Sequence, residues 1–204
     1  MGYARETEVG RAFAGKLSKT NVVFFDALDC RLGARFGTVQ LGPWAAVSGA
    51  GLNSKDKLNG TKLANWLPSK KKTGAAAGQR GGVIPPGWWI VLPEVLSRHQ
   101  CPSLVGKGGA PTDFSLKLVP YALDQPEPGI FGECARGGFF IHGTSAHPER
   151  VGSGSDGCIL LARDDRKRLA AAVVAAGGAW LYVFLDRKKI DDMVQRQADH
   201  YNVA

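Results

Sequence analysis

Gly138-Phe139-Phe140-Ile141-His142-Gly143-Thr144, followed after a Ser- and Gly-rich stretch by Ser155-Asp156-Gly157-Cys158-Ile159, is the part of the chain whose reading decides the rest. Phe139, Phe140 and Ile141 favour β structure and run into a glycine, so they predict a short strand that delivers His142 at its end. Acyl transfer by cysteine requires a thiolate, a base to generate it and backbone N–H groups aimed at the developing oxyanion. The window holds a candidate for each. Cys158 is the candidate nucleophile and His142 the candidate base, and the amides around Gly157 can approach a bound carbonyl because no side chain intervenes. A helix expected after Cys158 would have a positive end that favours the thiolate. A plainer reading exists, because free cysteine is among the most buried residue types and a histidine at a strand end is often held only by core hydrogen bonds.

Working outward, Val22-Val23-Phe24-Phe25, Phe36-Gly37-Thr38-Val39-Gln40-Leu41 and Trp44-Ala45-Ala46-Val47 read as strands of a meander punctuated by Gly and Pro. Further strands are expected at 88–92, 115–121 and 179–185. Beyond Cys158, Asp164 is expected to cap a helix containing Leu169, Val173 and Val174, with Gly177-Gly178 as its stop. Residues 49–82 are polar, Lys-rich and Gly/Ala-rich and read as a loop or a capping flap. In the tail, Ile190, Met193 and Val194 sit at helical spacing among charges. The whole predicts a mainly β fold with some α, sandwich- or barrel-like, with one helix after the nucleophile and another at the C-terminus. Residues 1–20 form an N-terminal segment, 21–185 one catalytic domain and 186–204 a helical tail.

The 204 residues suffice for one sizeable core, and 27 Gly with 11 Pro favour turns over long helices. A net charge of +8 attracts polyanions, among them cell-wall polymers bearing free carboxylates. Nucleic acid is not expected, since the lysines fall in scattered groups such as Lys70-Lys71-Lys72 and Lys188-Lys189 with no nucleic-acid-binding signature. No apolar stretch is long enough to cross a bilayer as a helix, and residues 1–20 lack a basic segment followed by an apolar run, so neither a membrane span nor a Sec-type address is expected. Cys30, Cys101, Cys134 and Cys158 lack the spacing of a zinc site or a disulfide framework. His147 and Asp156 resemble part of a zinc-peptidase pattern, but nothing completes it and His147-Pro148 reads better as a turn, so neither metal nor cofactor is expected.

Ile141-His142-Gly143-Thr144 and Ser155-Asp156-Gly157-Cys158, with 158 − 142 = 16 positions between base and nucleophile, resemble the L,D-transpeptidase (YkuD-like) catalytic domain. The variant closest in pattern is the subfamily of type VI secretion effectors, which Ser48-Gly49-Ala50-Gly51-Leu52-Asn53 and Val83-Ile84-Pro85-Pro86-Gly87-Trp88-Trp89-Ile90 also resemble. The resemblance implies Cys158 as nucleophile, His142 as base and Gly143 as the residue whose carbonyl orients the imidazole. It places Gly157 at the oxyanion and Ser155, Asp156 and Thr144 near substrate. Asp156 stands where the larger family has a second histidine. An acid beside a thiol disfavours thiolate, so Asp156 is expected to orient the loop or meet a substrate amine. Leu160 replaces the family's Arg or Asn two places after cysteine, and Arg163 is the candidate to take over that work.

The implied substrate is the peptidoglycan stem tetrapeptide, cut or exchanged through an acyl-enzyme. The subfamily resemblance further implies secretion by a type VI system, action in the periplasm of a target cell and a cognate immunity protein. The rival readings are a non-catalytic module that grips peptidoglycan or a partner, and a housekeeping cross-linking transpeptidase.

Overall fold

A computed structural model of the protein describes residues 3–27, 29–48, 84, 86–97, 114–123, 139–143 and 158–184. β1 (Asn21–Asp26), a run of β-favouring Val and Phe, and β2 (Arg31–Phe36) are strands whose alternate residues Val23, Phe25, Leu32 and Ala34 point inward. The sequence reading ran a strand through 36–41. Instead Gly37, at φ 58°, turns the chain, and Phe36 at the end of β2 pairs with Val39 at the start of β3 (Val39–Ser48). A two-residue hairpin needs positive φ, which glycine adopts without strain.

β4 (Gly87–Ser97), β5 (Phe114–Leu123), β6 (Phe139–His142), β7 (Ile159–Leu161) and β8 (Ala179–Phe184) complete a closed barrel in the order β1-β2-β3-β7-β6-β5-β4-β8. This is the mainly β architecture expected. Neighbours are antiparallel except β1 with β8 and β6 with β7. An eight-stranded barrel is just wide enough for side chains to fill, and Trp89, Leu116, Leu118, Ile141, Ile159 and Leu181 help to fill this one. At the end of β3 the Ser48 hydroxyl accepts a 2.8 Å bond from the Ile84 N–H. Positions 48 and 84, which bracket the stretch read as a loop or flap, therefore touch.

Two helices flank the barrel. α1 (Tyr3–Ala14), in the stretch read only as an N-terminal segment, lies on the outer face of β4 and β5. Phe13 and Ala14 pack there on a second apolar cluster of Leu17, Ile90, Leu92 and Val119. α2 (Arg163–Ala175) buries Arg166, Leu169, Ala170 and Val173, the i, i+3, i+4, i+7 face of a helix. Gly177 and Gly178, at φ 68° and 118°, end it where a stop was expected, and the Gly178 N–H bonds the Val173 carbonyl at 2.9 Å.

The start of α2 corrects the sequence reading. Its N-cap is Ala162, with no side-chain cap, and Asp164 lies inside the first turn with its carboxylate 3.6 Å from Lys167 Nζ. Asp164 still suits that end, because an acid in the first turn complements the helix dipole. The 49–82 stretch and the helix expected in 186–204 lie outside the described residues. No helix among the described residues is long and apolar enough to cross a membrane.

Candidate functional site

The parallel pairing of β6 with β7 sets Ile141 beside Ile159 and His142 beside Leu160. Ile141 and Ile159 face the core, so the pleat turns His142, Leu160 and, two residues before Leu160, Cys158 to the opposite face. Two residues of strand rise and one strand spacing put the Cα atoms of His142 and Cys158 about 8 Å apart, a gap that an imidazole can bridge. The barrel thus brings together two side chains 16 positions apart in sequence. Cys158 is buried and His142 half-buried.

His142 Nδ1 lies 2.7 Å from the Gly143 carbonyl oxygen. A carbonyl can only accept, so Nδ1 carries the proton and donates it, and in the neutral ring Nε2 keeps its lone pair. Gly143 itself is buried, and a side chain on it would have to displace the Arg166 guanidinium. A Cβ there would fall onto Arg166 Nη1 and within 2.9 Å of Cζ and Nη2 of the same guanidinium.

The strand Ile159–Leu161 and the N-cap Ala162 separate Cys158 from the first turn of α2. The helix dipole acts within its first turn, so the expected help to a thiolate at Cys158 from that helix end is withdrawn. The other described cysteine, Cys30, sits at φ 53° before β2 with its thiol 3.8 Å from the Ala27 carbonyl oxygen. Thr144, His147, Ser155, Asp156 and Gly157, with Cys101 and Cys134, lie outside the described residues.

The arginine beside the site's glycine is Arg166, whereas Arg163 opens α2 and is partly exposed. Arg166 is wholly buried, donates from Nη1 to the Leu161 carbonyl at 2.8 Å and stacks its Cζ 4.9 Å from the Phe114 ring centre. The sequence reading passed over it. The stripe of Leu169 and Val173 extended one turn backward meets position 166, and an arginine in line with core residues was the available signal.

No family model matches the chain, and no curated protein does. Three solved structures are similar to it at a distance. Bd1075 of Bdellovibrio bacteriovorus is 16% identical, over 91% of this chain and 59% of that one, with a TM-score of 0.45. An L,D-transpeptidase from Xylanimonas cellulosilytica is 15% identical over 82% and 61%, at 0.41, and L,D-transpeptidase 1 of Mycobacterium tuberculosis 15% over 81% and 62%, at 0.34. The match therefore spans 59–62% of the length of those structures. Identities of 15–16% say nothing of individual residues or of activity.

Proposed function

We propose that the protein is a cysteine enzyme of the L,D-transpeptidase type that acts on peptidoglycan stem tetrapeptides through an acyl-enzyme on Cys158. The observation that carries the reading is the juxtaposition of Cys158 with a histidine whose Nδ1 is committed to the Gly143 carbonyl, leaving Nε2 as the proton acceptor. The motif resemblance supports the substrate class, and the +8 charge suits a polymer rich in carboxylates.

In this mechanism Nε2 of His142 takes the Cys158 proton. The thiolate attacks the carbonyl at the L-centre of meso-diaminopimelate, and amides at Gly157 and Cys158 hold the oxyanion. The imidazolium returns its proton to the leaving amine as D-alanine departs, and a thioester remains. Water then gives the tripeptide, or the amine of a D-amino acid or another stem gives exchange or cross-linking. Ser155, Asp156, Thr144 and Arg163 are assigned to substrate contact and loop geometry. The subfamily resemblance extends the proposal to an antibacterial effector, delivered by a type VI system to a competitor's periplasm and held in check by an immunity protein.

Incubation with purified muropeptides followed by mass analysis tests the reading. Conversion of disaccharide tetrapeptide to tripeptide with release of D-alanine is expected. Tetrapeptide that persists while the glycan or an earlier peptide bond is cut refutes the assignment. No product at all, with an inert Cys158 thiol, favours the binding module. The effector role predicts toxicity on direction to the periplasm, and equal toxicity in the cytoplasm would count against it.

A further inference from the structure

Burying a guanidinium is costly, and position 166 belongs to the stripe that α2 otherwise fills with Leu169, Ala170 and Val173. The strand registers indicate what the charge does there. Extending Leu116↔Ile141 and His142↔Leu160 by one or two residues puts Phe114, Gly143 and Leu161 on one rung across β5, the residue after β6, and β7. The guanidinium meets all three: it lies against the Phe114 ring, bonds the Leu161 carbonyl, and fills the volume that a side chain on Gly143 would need.

We propose that Arg166 is a positioning residue for the His142 base, acting through Gly143. The inference rests on the function proposed above. The guanidinium braces the Gly143 peptide against the end of β7, and the Gly143 carbonyl is the acceptor that fixes the imidazole. A glycine at 143 and an arginine at 166 are thus two halves of one fitting. Loosening it lets the ring leave its Nδ1–H tautomer for the Nε2–H form that free imidazole side chains prefer, in which the nitrogen facing the thiol cannot accept a proton.

The test uses Arg166→Met, which keeps an unbranched stem of similar length but removes the charge and the planar fork. It reads kcat and KM on disaccharide tetrapeptide, the ¹⁵N shifts of the His142 ring and the melting temperature. Expected are a folded protein, a fall in kcat of about 10²-fold with KM unchanged, and a ring that has become a mixture of tautomers. Gly143→Ala, which pushes on the guanidinium from the other side, should produce the same tautomer change. Arg166→Lys, keeping charge without the fork, takes the place of Arg166→Met if that variant does not fold. A folded variant that keeps the wild-type kcat and ring shifts, whatever its melting temperature, overturns the proposal. If the wild-type protein turns over no stem peptide, the proposed function falls, while the tautomer comparison still decides whether Arg166 positions the ring.

Discussion

Replacing Gly10 by alanine sets two effects of opposite sign against each other. In a helix interior alanine is favoured over glycine by about 1 kcal/mol, so propensity alone makes Gly10→Ala stabilising. Gly10, however, is where α1 comes closest to the barrel. A Cβ there would lie 2.5 Å from the carbonyl oxygen of Pro120, 3.4 Å from its carbon and 3.7 Å from Val119 Cγ2. The nearest of these atoms is backbone in a barrel strand and cannot swing aside as a side-chain tip would. To regain an ordinary separation of 3.4 Å the helix must retreat by about 0.9 Å, lifting Phe13 and Ala14 from the Ile90, Leu92 and Val119 cluster. Overpacking of this kind costs about 1–3 kcal/mol, and the lost burial adds to it. A net loss of about 1–2 kcal/mol is expected. For a domain of this size that lowers the melting temperature by about 3–6 °C. Thermal melts followed by circular dichroism read the shift directly, and Gly15→Ala is the control, since a Cβ at 15 meets nothing within 4 Å. A melting temperature for Gly10→Ala equal to or above wild type would refute the close docking of α1 on β5.

Cys158→Ala should abolish turnover without unfolding the protein, whereas replacing Cys30, Cys101 or Cys134 one at a time should leave turnover in place; mass analysis of muropeptides with each variant checks this. His142→Gln should slow acylation by about 10²–10⁴-fold while His147→Ala has a small effect, read from single-turnover kinetics, and the reverse order would refute the assignment of the base. Chelators should leave the rate unchanged, and added D-amino acids should divert part of the tripeptide into exchanged tetrapeptide, with alkylation of Cys158 stopping both outcomes in parallel.

Most barrel strands were legible because each carries its own local signal, β-favouring residues between glycines and prolines, but β2 (Arg31–Phe36), with two arginines and a glycine, and the three-residue β7 were not read as strands. Gly37 misled, since a strand-like run with a glycine inside looks continuous until the φ of that glycine is known. The helix after Cys158 was placed correctly at its C-terminal end, where Gly177 and Gly178 give a local stop. Its start was expected two residues late, at an Asp164 cap, where Ala162 stands as N-cap without a side-chain bond, and β7 before it was missed because Ile159-Leu160-Leu161 carries no turn signal and becomes a strand only by pairing with β3 and β6. The candidate base and nucleophile were visible as a motif. Arg166 was not, since its part comes from meeting Phe114, Gly143 and Leu161, which only the folded barrel assembles.

Two features of the site bear on each other. The His142 partner at Nδ1 is a neutral carbonyl, which fixes the tautomer without adding the charge by which a carboxylate would stabilise an imidazolium. A thiol tolerates that economy better than a hydroxyl. A thiol is intrinsically far more acidic than a hydroxyl, so its proton is the easier one for a histidine to take. Because β7 stands between Cys158 and α2, the helix N-terminus gives that transfer no help. In the proposed mechanism the task then falls to placement: the imidazole must present Nε2 to the sulfur at the right angle, and a small rotation of the Gly143 peptide would forfeit it. A wholly buried guanidinium packed against that peptide is an expensive way to fill a barrel end, and an understandable one where the geometry of a single carbonyl controls the base.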